Sequence, residues 1–119
     1  FAAPEQLLGE SQGAGCDLFA VAAIVIFALT GVAPFGGGDA RTILAQQLAE
    51  KADLTPFPDE LATWLRRALK PEPDRRYHDA VLMRRDWRAL TRELERQQRW
   101  ATRWARLKRR LRRFFPRSG

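Results

Sequence analysis

Cysteine and histidine are almost missing: Cys16 and His78 are the only residues of their types in 119. One cysteine excludes an internal disulfide framework and a Cys-rich zinc site. One histidine excludes a His-based metal cluster and a His–His catalytic pair. The lone thiol fits a reducing compartment. No stretch reads as a secretory signal. No run alternates apolar and polar residues as a half-buried strand would. No internal repeat is visible.

What is present is apolar and basic. Hydrophobic residues make up 45% of the chain, enough for a real core in one small domain. The net charge of +7 is unevenly spread. Residues 1–83 hold seven basic and eleven acidic residues, whereas residues 84–119 hold fourteen basic and three acidic ones. This asymmetry predicts a mildly acidic body and a basic arm.

Helical signals dominate the body. Pro4 can open a short helix, with Glu5 favoured in its first turn. Gly13 and Gly15 read as a loop. Asp17 is placed to cap the next element. From Leu18 to Leu29 every residue is apolar, so the segment is a helix buried on all sides or a membrane segment. Gly31 suits its C-terminus and Pro34 prevents continuation. Residues 18–38 carry no charge, but the glycines and Pro34 break their second half, which favours a buried helix over a span. Asp39–Lys51 predicts an amphipathic helix with Ile43, Leu44, Gln47 and Leu48 on one side. Asp59–Leu69 predicts another, capped by Asp59, with Leu61, Leu65, Ala68 and Leu69 as its stripe. Lys70–His78 is a proline-bearing loop. Asp79 caps a last helix from Ala80, and residues 81–119 keep helical spacing throughout.

Four features stand in a fixed order. The first is Ala3-Pro4-Glu5. The second is Asp17-Leu18-Phe19-Ala20, opening the apolar helix. The third is Leu29-Thr30-Gly31 followed by Pro34-Phe35. The fourth is Ala68-Leu69-Lys70-Pro71-Glu72-Pro73-Asp74-Arg75-Arg76-Tyr77, with Ala80 after it. Together they resemble the C-terminal part of a protein kinase domain of the bacterial Ser/Thr type, whose signatures include the Ala-Pro-Glu element. The resemblance covers roughly residues 1–90 and implies a mostly α fold, the helical C-lobe from that element onward. Residues 91–119 would be a basic helical extension.

The resemblance also implies roles. Glu5 would form a buried ion pair with Arg76, and Asp17 would brace the backbone of the catalytic loop. Phe1, Ala2, Ala3 and Pro4 would lie beside the substrate peptide. None of these is a direct acid, base or metal ligand. The sequence departs from the family at Ala22, where glycine is usual, at Glu72, where aspartate is common, and at Phe19, which replaces a tyrosine or tryptophan. Without the ordered pattern, Glu5 and Asp17 would read as helix-terminus carboxylates and Arg76 as a solvated loop charge. Cys16 reads as a small filler and His78 as an exposed loop residue. Gly36-Gly37-Gly38 is no phosphate loop, because no lysine follows and no strand precedes it.

A kinase needs a glycine-rich loop, a strand Lys paired with a helix Glu, a catalytic-loop Asp and Asn, and the metal-binding Asp of Asp-Phe-Gly. None is in these 119 residues; in the family all precede Ala-Pro-Glu. Phe1 therefore reads as a cut end, and the piece is expected to be inactive alone and to expose an apolar patch. The full-length parent would use ATP and Mg²⁺ to phosphorylate Ser or Thr of a protein substrate, or would be a pseudokinase. The expected location is the cytoplasm.

The arm has several readings. Met83, Trp87, Leu90, Leu94, Ala101, Trp104 and Leu111 form an apolar stripe, widened by Trp100, Leu107, Phe114 and Phe115. The arm can be a solvated extension. It can be an interfacial helix at the inner face of an anionic membrane, using Trp100 and Trp104 with Arg103, Arg106, Lys108, Arg109, Arg110, Arg112 and Arg113. Nucleic-acid binding is weaker, since no base-reading module is visible. A coiled-coil seam is opposed by Gln97 and Lys108. Rivals to the kinase reading are a small membrane-anchored protein spanning with residues 18–38 and a basic adaptor for anionic surfaces.

Overall fold

The computed structural model describes residues 1–10, 13–97 and 101–112. Six α-helices and one 3-10 turn follow in order: α1 Pro4–Leu7, α2 Ala14–Thr30, α3 Ala40–Leu48, α4 Asp59–Ala68, the turn Pro73–Arg75, α5 Ala80–Gln97 and α6 Ala101–Leu111. No strand occurs among the described residues, and the fold is mostly α as the sequence implies.

The apolar helix is the axis of the packing. Cys16, Leu18, Phe19, Ala22, Ala23, Val25 and Ile26 of α2 are buried and line one half of its circumference; the other half is partly open, with Asp17 and Phe27 exposed and Ala20, Val21 and Ile24 half-buried, so the helix is not buried on all sides as the sequence suggests. Helices α4 and α6 and the 3-10 turn pack against it. Ala22 is wholly buried in the core, so the methyl that replaces the family's glycine is accommodated. Gly31 ends the helix in the left-handed region at φ 75°, its N–H donating to Phe27 O at 2.8 Å. That conformation strains any residue bearing a Cβ.

The start of α2 differs from expectation. Gly13 is the N-cap, and Asp17 lies inside the first turn and does not cap. Gly15 is helical, not a loop residue; a Cβ there would meet Arg76 Nη1 at 3.6 Å. Arg76 Nη1 donates to Gly15 O at 3.2 Å, which ties this first turn of the helix to the guanidinium. Residues 18–38 do not form one helix, and among the described residues no helix is long and apolar enough to cross a membrane.

Helix α3 starts at Ala40 rather than at Asp39, which caps it instead: Asp39 Oδ1 accepts from both the N–H and the hydroxyl of Thr42 at 2.9 Å. It stops at Leu48, short of Lys51, because Glu50 takes φ 52° and Lys51 N–H turns back to Gln46 O at 3.1 Å. Gln47 becomes the inward residue at 2% exposure, while Leu48, about 100° further round the helix, is exposed rather than part of the buried side. In α4, Pro58 holds the N-cap position and Asp59 lies in the first turn, where its charge suits the dipole without capping. Leu61, Ala62, Trp64, Leu65 and Ala68 form its buried stripe. The Trp64 indole N–H donates to Met83 O at 3.1 Å, and its ring meets those of Trp87 and Tyr77. Asp79 caps α5 by accepting from Leu82 N–H at 2.8 Å.

The basic arm does not run as one long helix. Lys108 Nζ pairs with Glu95, and the Arg110 guanidinium donates to Ala28 O. In one straight helix residues 95 and 108 would be about 20 Å apart, so α6 folds back on α5 and α2. Leu107 and Leu111 are buried and join the core cluster. This packing covers part of the central helix. Phe1, Leu8, Phe27 and Val32 stay exposed.

Candidate functional site

Arg76 is the polar centre of the molecule. It is 1% exposed and is the largest fully buried side chain. A guanidinium carries five N–H donors, and each finds an acceptor. Nε donates to Lys70 O at 2.6 Å, Nη1 to Glu5 Oε2 at 2.7 Å and Gly15 O at 3.2 Å, and Nη2 to Glu5 Oε1 at 2.8 Å and Pro71 O at 3.1 Å. Its plane lies over the Phe19 ring, 4.9 Å from the centroid, a cation–π contact. One side chain thus ties together α1, the start of α2 and the 70–76 loop. Glu5, 71 residues away, supplies the two-point carboxylate partner.

Local structure aims Glu5 inward. Pro4 sets the first turn of α1, and Gln6 Oε1 accepts from Ala3 N–H at 2.7 Å. Ala3, Pro4 and Glu5 are all buried. Burial pushes the Glu5 carboxyl up, but the Arg76 hydrogen bonds, a backbone N–H, the Cys16 thiol and the Arg76 charge outweigh it, so its pKa lies below the usual value of 4.5. A depressed carboxylate pKa stabilises the fold above the unfolded value and loses that contribution as pH falls through the folded one. Stability is therefore expected to drop below about pH 4.5. Urea midpoints across this acid range should fall steeply in the wild type. In Glu5→Gln, already weakened at neutral pH, the part of the slope due to Glu5 should be gone.

Of two further participants, Cys16 carries no sequence signal for its role and Gln47 only a weak one. Cys16 is buried, as expected of a filler, yet its Sγ also lies 3.3 Å from Glu5 Oε2 as a donor. Burial, then the Glu5 carboxylate, raises its pKa, keeping it a thiol. Gln47 of α3 donates from Nε2 to Ala2 O at 2.7 Å, holding the first residues from the other side. An inward glutamine on an otherwise apolar face was the one available hint.

The other expected residues divide. Phe1 and Ala2 are exposed, with the Phe1 ring 5.8 Å from that of Phe27. Asp17 is exposed and has no hydrogen-bond partner among the described residues. Arg103, Arg106, Lys108, Arg109 and Arg110 are exposed on α6, and Arg112, just past its end, is exposed as well. Trp100 and Arg113 lie outside the described residues, as does the side chain of Trp104. His78 is exposed as expected. Among the described residues no group of three or more His, Cys, Asp or Glu is placed to hold a metal ion. A cavity of about 720 Å³ opens between the 50–57 loop and α4, with the ion pair of Glu50 and Lys70 (2.7 Å) in its wall.

No protein-family model matches the chain. Over 77 residues, 64% of the chain, it is 36% identical to the serine/threonine-protein kinase PkaA of Streptomyces coelicolor. Over 94 residues, 72% of the chain, it is 33% identical to the serine/threonine-protein kinase PknB of Mycolicibacterium smegmatis. These matches cover 14% and 15% of the two relatives, so the chain spans about a seventh of their length. The chain is related in sequence to bacterial serine/threonine-protein kinases.

Proposed function

We propose that this chain is the substrate-side, helical part of a protein serine/threonine kinase, the C-lobe from Ala3-Pro4-Glu5 onward. The observation that carries the reading is the Glu5–Arg76 pair, which joins the Ala-Pro-Glu element to the Lys70–Tyr77 loop across 71 residues. The resemblance requires that pair, and no local helix rule would place a buried carboxylate there. The relatives are named serine/threonine-protein kinases, and the resemblance implies the reaction of the parent: the γ-phosphoryl group of ATP passes to a Ser or Thr hydroxyl of a protein, leaving ADP.

In this reading Glu5–Arg76 anchors the segment beside the substrate peptide, and Gln47 holds the backbone at Ala2. Asp17 stands exposed, free to brace a catalytic loop. The residues present do not fit ATP or Mg²⁺: the chain has no glycine-rich phosphate loop and no acidic metal cluster among its described residues. No step of the phosphoryl transfer is therefore assigned to them. The 119-residue chain is expected to give no calorimetric signal with ATP and Mg²⁺. The full-length product containing it should transfer labelled phosphate to a Ser/Thr protein, and Glu5→Gln should lower that rate. ATP binding by the 119 residues alone, or a full-length product with no transfer, would contradict the proposal.

A further inference from the structure

Helix α4 serves the core on one side and a cavity on another. Asp59, Ala62 and Arg66 line the cavity of about 720 Å³ that opens under the 50–57 loop. Asp59 and Arg66 are seven residues apart, so they share one side of the helix, about 10 Å apart along its axis, with Ala62 between them. Both are exposed, and among the described residues neither side chain has a hydrogen-bond or ion-pair partner. The other charges of the wall are engaged. Glu50 pairs with Lys70 at 2.7 Å, and Asp53 Oδ1 accepts from the Thr55 N–H at 3.1 Å and from its hydroxyl at 2.6 Å. The apolar part of the wall is Phe35, Phe57 and Leu69, all buried, with Phe35 held by its stack on Phe19. Among the described residues, the cavity thus joins one unpaired carboxylate, one unpaired guanidinium and an apolar wall.

A cavity of this size, mostly apolar with a few separated polar groups, suits a small ligand. Opposite charges set well apart ask for a ligand that carries both. We propose that the cavity binds a short free peptide with an apolar side chain between its charged ends. An extended tripeptide spans about 10 Å, which matches the separation of Asp59 and Arg66. Its α-ammonium meets Asp59. Its α-carboxylate meets the Arg66 guanidinium, which can donate two parallel N–H bonds to it. Its central side chain lies against Phe35, Phe57 and Leu69. A simple organic cation would leave Arg66 unmet, and a simple anion would face the carboxylates of Asp53 and Asp59. Neither Glu5 nor Arg76 lines the cavity, so the site is independent of the kinase reading.

The test is a titration of the whole chain with the tripeptide Ala-Phe-Ala, followed by amide NMR shifts. Residues 50–57 and α4 should shift and saturate. Ala-Gly-Ala should bind about tenfold more weakly, because it has no apolar side chain to bury. N-terminal acetylation and C-terminal amidation should each weaken binding about fivefold, the range of a solvent-exposed charge pair. Two variants then assign the ends. In Arg66→Gln the amidated and free peptides should bind alike, while acetylation still weakens binding. In Asp59→Asn the acetylated and free peptides should bind alike, while amidation still weakens it. Both variants should stay folded, since neither side chain has a partner to lose among the described residues. No saturable shift at the cavity would overturn the proposal. So would a doubly blocked peptide that binds as tightly as the free one, or an amidation effect that survives Arg66→Gln.

Discussion

Replacing Arg76 by methionine is expected to destabilise the chain by about 3–5 kcal/mol, because it strands a buried carboxylate. Glu5 would keep only the Cys16 thiol and its backbone contact. Three carbonyls, those of Gly15, Lys70 and Pro71, would lose a donor together. Arg76→Lys should recover only part of the loss, since one ammonium cannot reach acceptors spread around a planar fork. The neighbouring arginine makes the contrast. Arg75 is exposed and stands 3.9 Å from Glu72, so Arg75→Ala should cost no more than about 0.5 kcal/mol. Urea denaturation at neutral pH, followed by circular dichroism, measures all three. Similar midpoints for the Arg75 and Arg76 variants would contradict the assignment of Arg76 as the polar centre.

Phe19→Ala is expected to cost about 3–5 kcal/mol, the range for truncating a fully buried phenylalanine. The side chain is 1% exposed and stacks on Phe35 with ring centroids 6.0 Å apart. It also forms the apolar floor under the Arg76 guanidinium. Phe19→Leu keeps most of the volume and removes the ring, so it separates packing from the cation–π contact. The leucine variant should lose about 1–2 kcal/mol, most of it through the arginine. Combined with Arg76→Met, Phe19→Ala should cost less than the sum of the two, because they share a contact. Thermal or urea melts of the single and double variants read this directly.

The helical architecture was legible wherever one residue type enforces one outcome. An unbroken apolar run points to a helix set into the core, and α2 buries one whole side there, although Phe27 on its other side is exposed. Gly31 can take φ 75° where other residues strain, and α2 ends there. Asp79 precedes a helical stretch and caps it. The long-range pairing of Glu5 with Arg76 came from the ordered resemblance, since nothing local in either residue points to the other.

The failures have a common cause in tertiary contact. Asp17 carries the chemistry of a cap, but the Arg76 guanidinium packs on Gly15 and the helix begins at Ala14. Leu48 lost its place in the buried face because a left-handed Glu50 shortened α3 and Gln47 turned inward to Ala2 O. The arm kept helical spacing beyond Leu90, yet spacing cannot say whether a helix continues or folds back. The packing of Leu107 and Leu111, with Arg110 on the end of α2, decided that.

The most direct measurement of the central claim is a double-mutant cycle on Glu5→Gln and Arg76→Met, read as unfolding free energies at neutral pH. If Glu5 and Arg76 act as one buried unit tying the Ala-Pro-Glu segment to the helical base, the double variant should cost about 2–3 kcal/mol less than the two single variants added together. Additivity within about 0.5 kcal/mol would mean the residues act independently, and the claim would fail.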